Sequence, residues 1–419
     1  MTSEVILMNR RGAIIAADSA VTVGRDPHPR YSKSATKIFE ACDHGNVAIS
    51  IYGSADVDQV PWELAIKQFR SADRGSPLRA KVKDYAPALF TFLQSTPLLF
   101  NADVLEYQFK LKVTVAAMKI VEDIGTAVPS VRDSTVALPD RISRWNDRFS
   151  HEKAYSDTQS IVPCLTAKNY ANSHAKRAEL LNSVKEVVDD DLAELVNIEQ
   201  LTELSIDYLF KLPWYCLSST GVVFTGFGSD EIFPSFTSFK AYGHIGNEFC
   251  FTQGSEQSIT HTNTAWIEPF AQSSMINRFT DGFDDAQVER LESELRKQFP
   301  ELLKSLLRQG ATIDAAIASA EINRAVSTTV SAWKKSNWST NFHPMRRVLA
   351  SLSMGEMADL AETLLVLESL RERMTSPSES VGGPIDVAVV TKNEGLVWIK
   401  RKKYFDAQDN PRYLKRNGL

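Results

Sequence analysis

Apolar positions along this chain follow two different periods, and the changes between them mark its organisation. The run Gly12 to Ala17 is short, apolar and strand-like, and it leads directly into Asp18. Such runs, bounded by turn residues, predict strands. The polar break ACDHGN reads as a hairpin turn, and the next apolar run ends at Gly53. A helical period then takes over: Val60, Leu64, Ala65 and Phe69 predict a helix over 57–72, and after the break Gly75, Ser76, Pro77 a second helix is expected over 78–93. From 101 to 212 the pattern stays helical. Leu105, Phe109, Val113, Ala116 and Ile120 mark one apolar face, a loop with Pro129, Pro139 and Pro163 is expected over 126–163, and the Ala-, Glu-, Lys- and Leu-rich stretch 167–195 predicts another long helix. Further helices are expected over 288–307 and 311–334, and a last one from Gly355 to the break Ser376, Pro377, Ser378. No internal repeat or low-complexity tract interrupts the pattern.

The candidate chemistry lies in the first sixty residues. Thr2 follows the initiator Met, and threonine is small enough for that Met to be trimmed. A mature chain beginning at Thr2 carries a hydroxyl and a free α-amine on one residue, and the amine can serve as the base for its own hydroxyl. An ordinary hydroxyl is a poor nucleophile and an ordinary α-amine is partly protonated at neutral pH. A nearby lysine disfavours the protonated amine and stabilises a developing alkoxide, and a carboxylate holds that lysine in place. Asp18, at a strand end, and Lys37, in SKSATKIFEAC, are of the residue types required.

The segments TSEVILMNRRGAIIAADSAVTVG, ATKIFEA and VAISIYGSADVDQVPWELAIKQFR together resemble the opening of a proteasome β-type subunit, a family of N-terminal nucleophile hydrolases. The likeness resumes in GVVFTGFGSDEIFPSFTSFKAYGHIGNEF, similar to the central hairpin of that family, and in SVGGPIDVAVVTKNEGLVWIKR, similar to its closing hairpin with the paired glycines Gly382 and Gly383. The resemblance covers roughly half of the chain. It implies a four-layer αββα sandwich of two antiparallel sheets, with large helical insertions added here. It also implies an N-terminal threonine hydrolase of peptide or other amide bonds, with Thr2 as nucleophile, Asp18 and Lys37 in support, and the Gly53 amide as oxyanion donor. Two positions depart from the family pattern: Ser54 stands where a second glycine is usual, and Val381 stands directly before the glycine pair, after Ser378, Glu379 and Ser380.

Each residue also has an ordinary reading. Asp18 serves as a turn or cap residue, Lys37 as a solvated edge-strand charge, and Gly53 as a turn glycine; it is their order, with matching strands between them, that favours the site. The alternative function is a catalytically inactive, proteasome-like scaffold or assembly subunit that binds a protein partner through its insertions. On this reading, 1–100, 213–285 and 355–419 form the sandwich, and 101–212 and 286–354 are the helical insertions, the first serving as a lid or an assembly element.

Composition narrows the remaining classes. With 419 residues, 43% hydrophobic and 24% charged, the chain has enough apolar residues for a large core. A net charge of -5 argues against nucleic acid as a partner. No apolar run reaches membrane-spanning length and no signal-peptide pattern opens the chain, so a cytoplasmic location without a membrane partner is expected. Cys42, Cys164, Cys216 and Cys250 lack metal or redox spacing, and the 7 histidines form no ligand-spaced cluster. Cys42 and His44 lie close enough in sequence to suggest a thiol enzyme, but they sit in the expected turn. No metal or cofactor is expected. A homo-oligomer is expected, with ring, dimer and monomer all compatible with the insertions, and a partner ATPase is left undetermined.

Overall fold

The first two strands are apolar on both faces because both faces are covered. β1 (Ser3–Asn9) and β2 (Gly12–Asp18) form a hairpin in which every strand residue is buried. The computed structural model describes residues 3–23, 30–32, 35–43, 45–308, 315–375, 382–402 and 411–416. After β2 come two short paired strands, β3 (Val21–Val23) and β4 (Arg30–Ser32), and then the hairpin β5 (Ile38–Glu40) and β6 (Val47–Tyr52), whose strands lie on either side of the segment expected to turn. A miniature hairpin, β7 (Asp56–Val57) and β8 (Val60–Pro61), precedes α1 (Trp62–Ala72) and α2 (Tyr85–Gln94). The first helix therefore starts later than the expected residue 57, because Asp58 and Gln59 take positive φ of 47° and 69° and cannot continue a right-handed turn.

The region after residue 100 is helical, with two corrections to the expected boundaries. It holds α3 (Ala102–Ala127), α4 (Leu138–Asp157), α5 (Ala167–Ala175), α6 (Arg177–Lys185), α7 (Ile198–Lys211) and α8 (Pro213–Cys216). The expected loop over 126–163 contains the 20 residues of α4, because Pro139 lies in its first turn, where a missing N–H costs no helical bond. The expected long helix over 167–195 is split at Lys176 into α5 and α6. The apolar faces of these helices cover one another: Phe109, Val113 and Ile120 of α3 share a cluster with Trp145 of α4 and with Leu201 and Tyr208 of α7, and the cluster extends to Tyr242, Ile245 and Cys250.

The remaining strands complete the sheets. β9 (Thr220–Gly226), β10 (Ser235–Ile245), β11 (Glu248–Ser258) and β12 (Ala265–Ala271) are followed by α9 (Ser274–Thr280), α10 (Asp285–Arg308), α11 (Ala315–Thr340), α12 (Phe342–Leu349) and α13 (Met354–Thr375). β13 (Ile385–Thr391), β14 (Gly395–Lys400) and the short α14 (Pro411–Arg416) close the chain. One five-stranded sheet has the order β12-β1-β2-β13-β14 and the other β11-β10-β9-β6-β5, with every neighbouring pair antiparallel.

Three apolar layers hold these sheets in a four-layer αββα sandwich. Between the sheets, Ile6, Met8 and Ile15 meet Ile38, Val223 and Phe236. On the outer side of the first sheet, Val5, Leu7 and Ile14 pack on Met357, Ala361 and Leu365 of α13 and Ile276 of α9. On the outer side of the second, Val47, Ile49 and Phe224 pack on Trp62 and Phe69 of α1 and Leu89 and Phe90 of α2. Each such side chain contributes roughly 1.5–3 kcal/mol on leaving water. This is the architecture the sequence resemblance implies, with the helical segments added to it. Along β1 the period of two sends Glu4, Ile6 and Met8 toward the second sheet and Val5 and Leu7 toward α13.

Candidate active site

The strand ends bring the expected residues together at the head of β1. Asp18 is the last residue of β2, and Lys37 lies just before β5; both are buried, at 2% and 4% side-chain exposure. The Lys37 ammonium donates to Asp18 Oδ1 at 2.7 Å and to the Ala20 carbonyl at 2.6 Å. It is therefore a held internal cation and not the solvated edge charge of its ordinary reading. Burial lowers the Lys37 pKa, and the charges of Asp18 and, more weakly, Glu4 oppose that fall.

Asp18 is shared by three parts of the chain. Its Oδ1 also accepts the Ser3 amide at 3.1 Å, and its Oδ2 accepts the Gly382 amide at 3.0 Å. Gly382 has φ +141°, a region that favours glycine, and this backbone turns the amide onto Asp18. The first of the paired glycines thus reaches the carboxylate at the opposite end of the sequence. Beside it, Asp386 of β13 is taken up by Lys402, whose backbone amide donates to Asp386 Oδ1 at 2.8 Å and whose ammonium pairs with the same carboxylate.

Gly53 follows β6 with φ +89°, and a Cβ there would lie 2.9 Å from the Ser219 carbonyl oxygen. It lines a cleft of about 90 Å³ together with Thr36, Lys37, Ile51, Tyr52 and Ser54. A larger cavity of about 580 Å³ lies between α3, α5, α6 and the turn from β10 to β11, and shares no residue with the cleft at Lys37. The small cleft is the one that holds the buried Lys37.

Thr2 lies outside the described residues, as do Ser378, Glu379, Ser380 and Val381. The next residue, Ser3, is described: its hydroxyl donates to the Gln272 carbonyl at 3.1 Å, and the strand period turns it to the face opposite Glu4. Of the cysteine–histidine alternative, Cys42 is buried with its Sγ 3.9 Å from the Tyr85 hydroxyl, and His44 lies outside the described residues.

Sequence reasoning missed Glu4. This residue is fully buried between the sheets, accepts the Ser50 hydroxyl on Oε1 at 2.5 Å, and leaves Oε2 buried without a hydrogen-bond partner among the described residues. Burial pushes its carboxyl up to about 7, against the Ser50 hydrogen bond and the Lys37 charge, which pull it down. The signal was present in the sequence: an acid on the apolar face that also carries Ile6 and Met8 has no solvent to reach. Ser50 and Ala20 were missed for a different reason, since each acts through a contact that only the fold creates, as does the bond from the already noted Gly382 to Asp18.

Among the described residues no group of three or more His, Cys, Asp or Glu is arranged to hold a metal ion, and no helix is long and apolar enough to cross a membrane. No protein-family model and no curated protein matches the chain. Among solved structures, Anbu from Hyphomicrobium sp. strain MC1 aligns over 100% of this chain and 97% of its own at 10% identity, with a TM-score of 0.31. The helical assembly of the Anbu complex from Pseudomonas aeruginosa aligns over 100% and 93% at 10% identity and 0.28. Anbu, described as an ancestral beta-subunit, from Yersinia bercovieri aligns over 99% and 95% at 10% identity and 0.26. At such values the likeness is one of coverage, and the chemistry rests on this chain's own residues.

Proposed function

We propose that this chain is an N-terminal threonine hydrolase, cleaving peptide or other amide bonds through an acyl ester on Thr2 once Met1 is removed. One observation carries the reading: the buried Lys37–Asp18 pair is tied to the amide of Ser3, the residue that follows Thr2. A cation held at that point is where an N-terminal nucleophile needs one.

In the proposed reaction the Thr2 α-amine, directly or through one water, takes the hydroxyl proton as the oxygen attacks the carbonyl carbon. Lys37 stabilises the charge on that oxygen and, by like-charge repulsion, keeps the amine unprotonated. Asp18 orients Lys37, and the Gly53 amide donates to the oxyanion. The amine then passes its proton to the leaving nitrogen as the C–N bond breaks. Water attacks the ester, releasing the acid and restoring the hydroxyl. We assign 1–100, 213–285 and 355–419 to the sandwich that carries this site, and 101–212 and 286–354 to insertions that govern access or a homo-oligomeric assembly in the cytoplasm.

The test is intact and peptide-level mass spectrometry after exposure to a peptide epoxyketone, on wild type, Thr2→Ala and Lys37→Ala. Modification confined to the Thr2 terminus and lost in both variants supports the hydrolase. A retained Met1 locks the amine in a peptide bond and overturns it. The scaffold reading then takes its place, supported by the α10–α11 pair, which has its own small apolar cluster around Val288, Val326 and Val330 and exposes Leu302 and Ile317.

A further inference from the structure

We infer that Glu4 is a positioning residue for Lys37: sealed between the sheets, its carboxylate keeps the Lys37 ammonium protonated as pH rises, and so sets the alkaline limit of the reaction. This role rests on the threonine-hydrolase reading and extends it to a residue that reading does not use.

The register brings the two groups together from every side. Glu4 stands opposite Ala17 in the β1–β2 hairpin, one residue before Asp18. Among the described residues its carboxylate accepts from Ser50, which pairs with Ile38, the residue after Lys37; the next amide, Ile51, donates to the Lys37 carbonyl at 2.9 Å. Asp18 has both oxygens engaged, by Lys37 and Ser3 on one and Gly382 on the other. Glu4 keeps an oxygen without a partner among the described residues. The charged and titratable groups bearing on Glu4 are Lys37 and Asp18, with Tyr52 of β6 beside it; Lys37 also senses Lys402, which is paired with Asp386. Tyr52 is pushed up to about 12, first by burial and then by the Glu4 charge, and stays neutral through the range of interest.

Burial favours a neutral Lys37 and a neutral Glu4 alike. Burial raises the Glu4 carboxyl to about 7, and once ionised its charge opposes deprotonation of the lysine. The carboxyl is a stored anion, released as pH rises beside a lysine that burial inclines to lose its proton.

The experiment is the rate of N-terminal labelling by a peptide epoxyketone against pH, for wild type and Glu4→Gln. The amide keeps an acceptor for Ser50 and removes the charge. In Glu4→Gln the alkaline limb moves to lower pH by about one unit, the scale of a neighbouring opposite charge, while labelling below pH 7 changes by less than about twofold. A purely structural role lowers the rate at every pH and leaves the limb where it was. Labelling whose limb ignores Glu4→Gln overturns this inference alone; a wild type unlabelled at every pH overturns the threonine reading, and this role with it. Should Glu4→Gln fail to fold, carboxyl-¹³C glutamate and ¹⁵Nζ lysine resonances of the wild type decide the matter. A buried glutamate ionising near 7 with a matching step at Lys37 supports the inference, and no step at Lys37 overturns it.

Discussion

Lys37 and Lys112 are each buried against an aspartate, at 2.7 and 2.6 Å, and each ammonium also donates to a backbone carbonyl, of Ala20 and His244 respectively. Their aspartates are similarly used: Asp18 accepts the amides of Ser3 and Gly382, while Asp58 accepts the amide of His244 at 2.7 Å and its Nδ1 at 2.8 Å. The surroundings differ. Lys37 lines a cleft and has a second, incompletely bonded carboxyl nearby. The Asp58 cluster is closed by the rings of Phe100 and Phe249 against His244, and it ties α3 to the hairpin of β7 and β8 and to β10. A buried ion pair is therefore not in itself a reactive site. Access distinguishes the pair proposed to do chemistry from the pair that clamps two parts of the molecule together, since the Asp58 cluster also holds a titratable group, His244, whose Nε2 is buried without a partner among the described residues.

The two lysines give the sharpest test of this difference. Lys37→Met lowers N-terminal labelling by about a hundredfold or more. Lys112→Met leaves labelling of the folded protein unchanged but costs about 3–5 kcal/mol of stability, because the buried Asp58 charge loses its lysine partner. Denaturant midpoints and labelling rates measured on both variants check this, and equal behaviour of the two breaks the comparison.

Their pH dependences have opposite signs. Burial alone raises Asp58, but Lys112 and His244 outweigh it and hold the carboxyl below its ordinary range, so its contribution is present at neutral pH and is lost as pH falls through the folded-state value. Glu4 is raised from 4.5 to about 7, so its contribution is full below 4.5 and is lost as pH rises to about 7, a change of about 3 kcal/mol. Glu4→Gln removes that downward slope from the stability profile between these two values, as urea titrations at several pH values will report. Smaller effects are expected at two other positions. Gly53→Ala, at φ +89° against the Ser219 carbonyl, costs about 1–2 kcal/mol and slows labelling. Asn101→Ala removes the side chain that caps α3 by accepting from the Val104 amide; it costs about 1 kcal/mol in thermal unfolding and leaves labelling intact.

Where the pattern is local, the sequence is a good guide. The first hairpins and the last helix could be read from period and turn residues and the closing strands from their resemblance, and Asp18, Lys37 and Gly53 fall within one region of the fold. The misreadings have separate physical origins. The Asp58 carboxylate, drawn to Lys112 and His244 far along the chain, goes with a left-handed backbone where the apolar spacing suggested a helix. Pro139 suggested a loop although it begins a helix, and Glu4 was overlooked because its strand was read for its apolar residues alone.

The bond from the Gly382 amide to Asp18 has a consequence for biosynthesis. β2 lies between β1 and β13, so the carboxylate that holds Lys37 gains its last partner only after about nine-tenths of the chain has been made. A nascent chain on the ribosome can trim its initiator Met and form its first hairpin while still lacking a finished centre. The proposed nucleophile is made first and its centre completed last, an order that would keep the proposed hydrolase silent in the company of unfolded polypeptide, its own included.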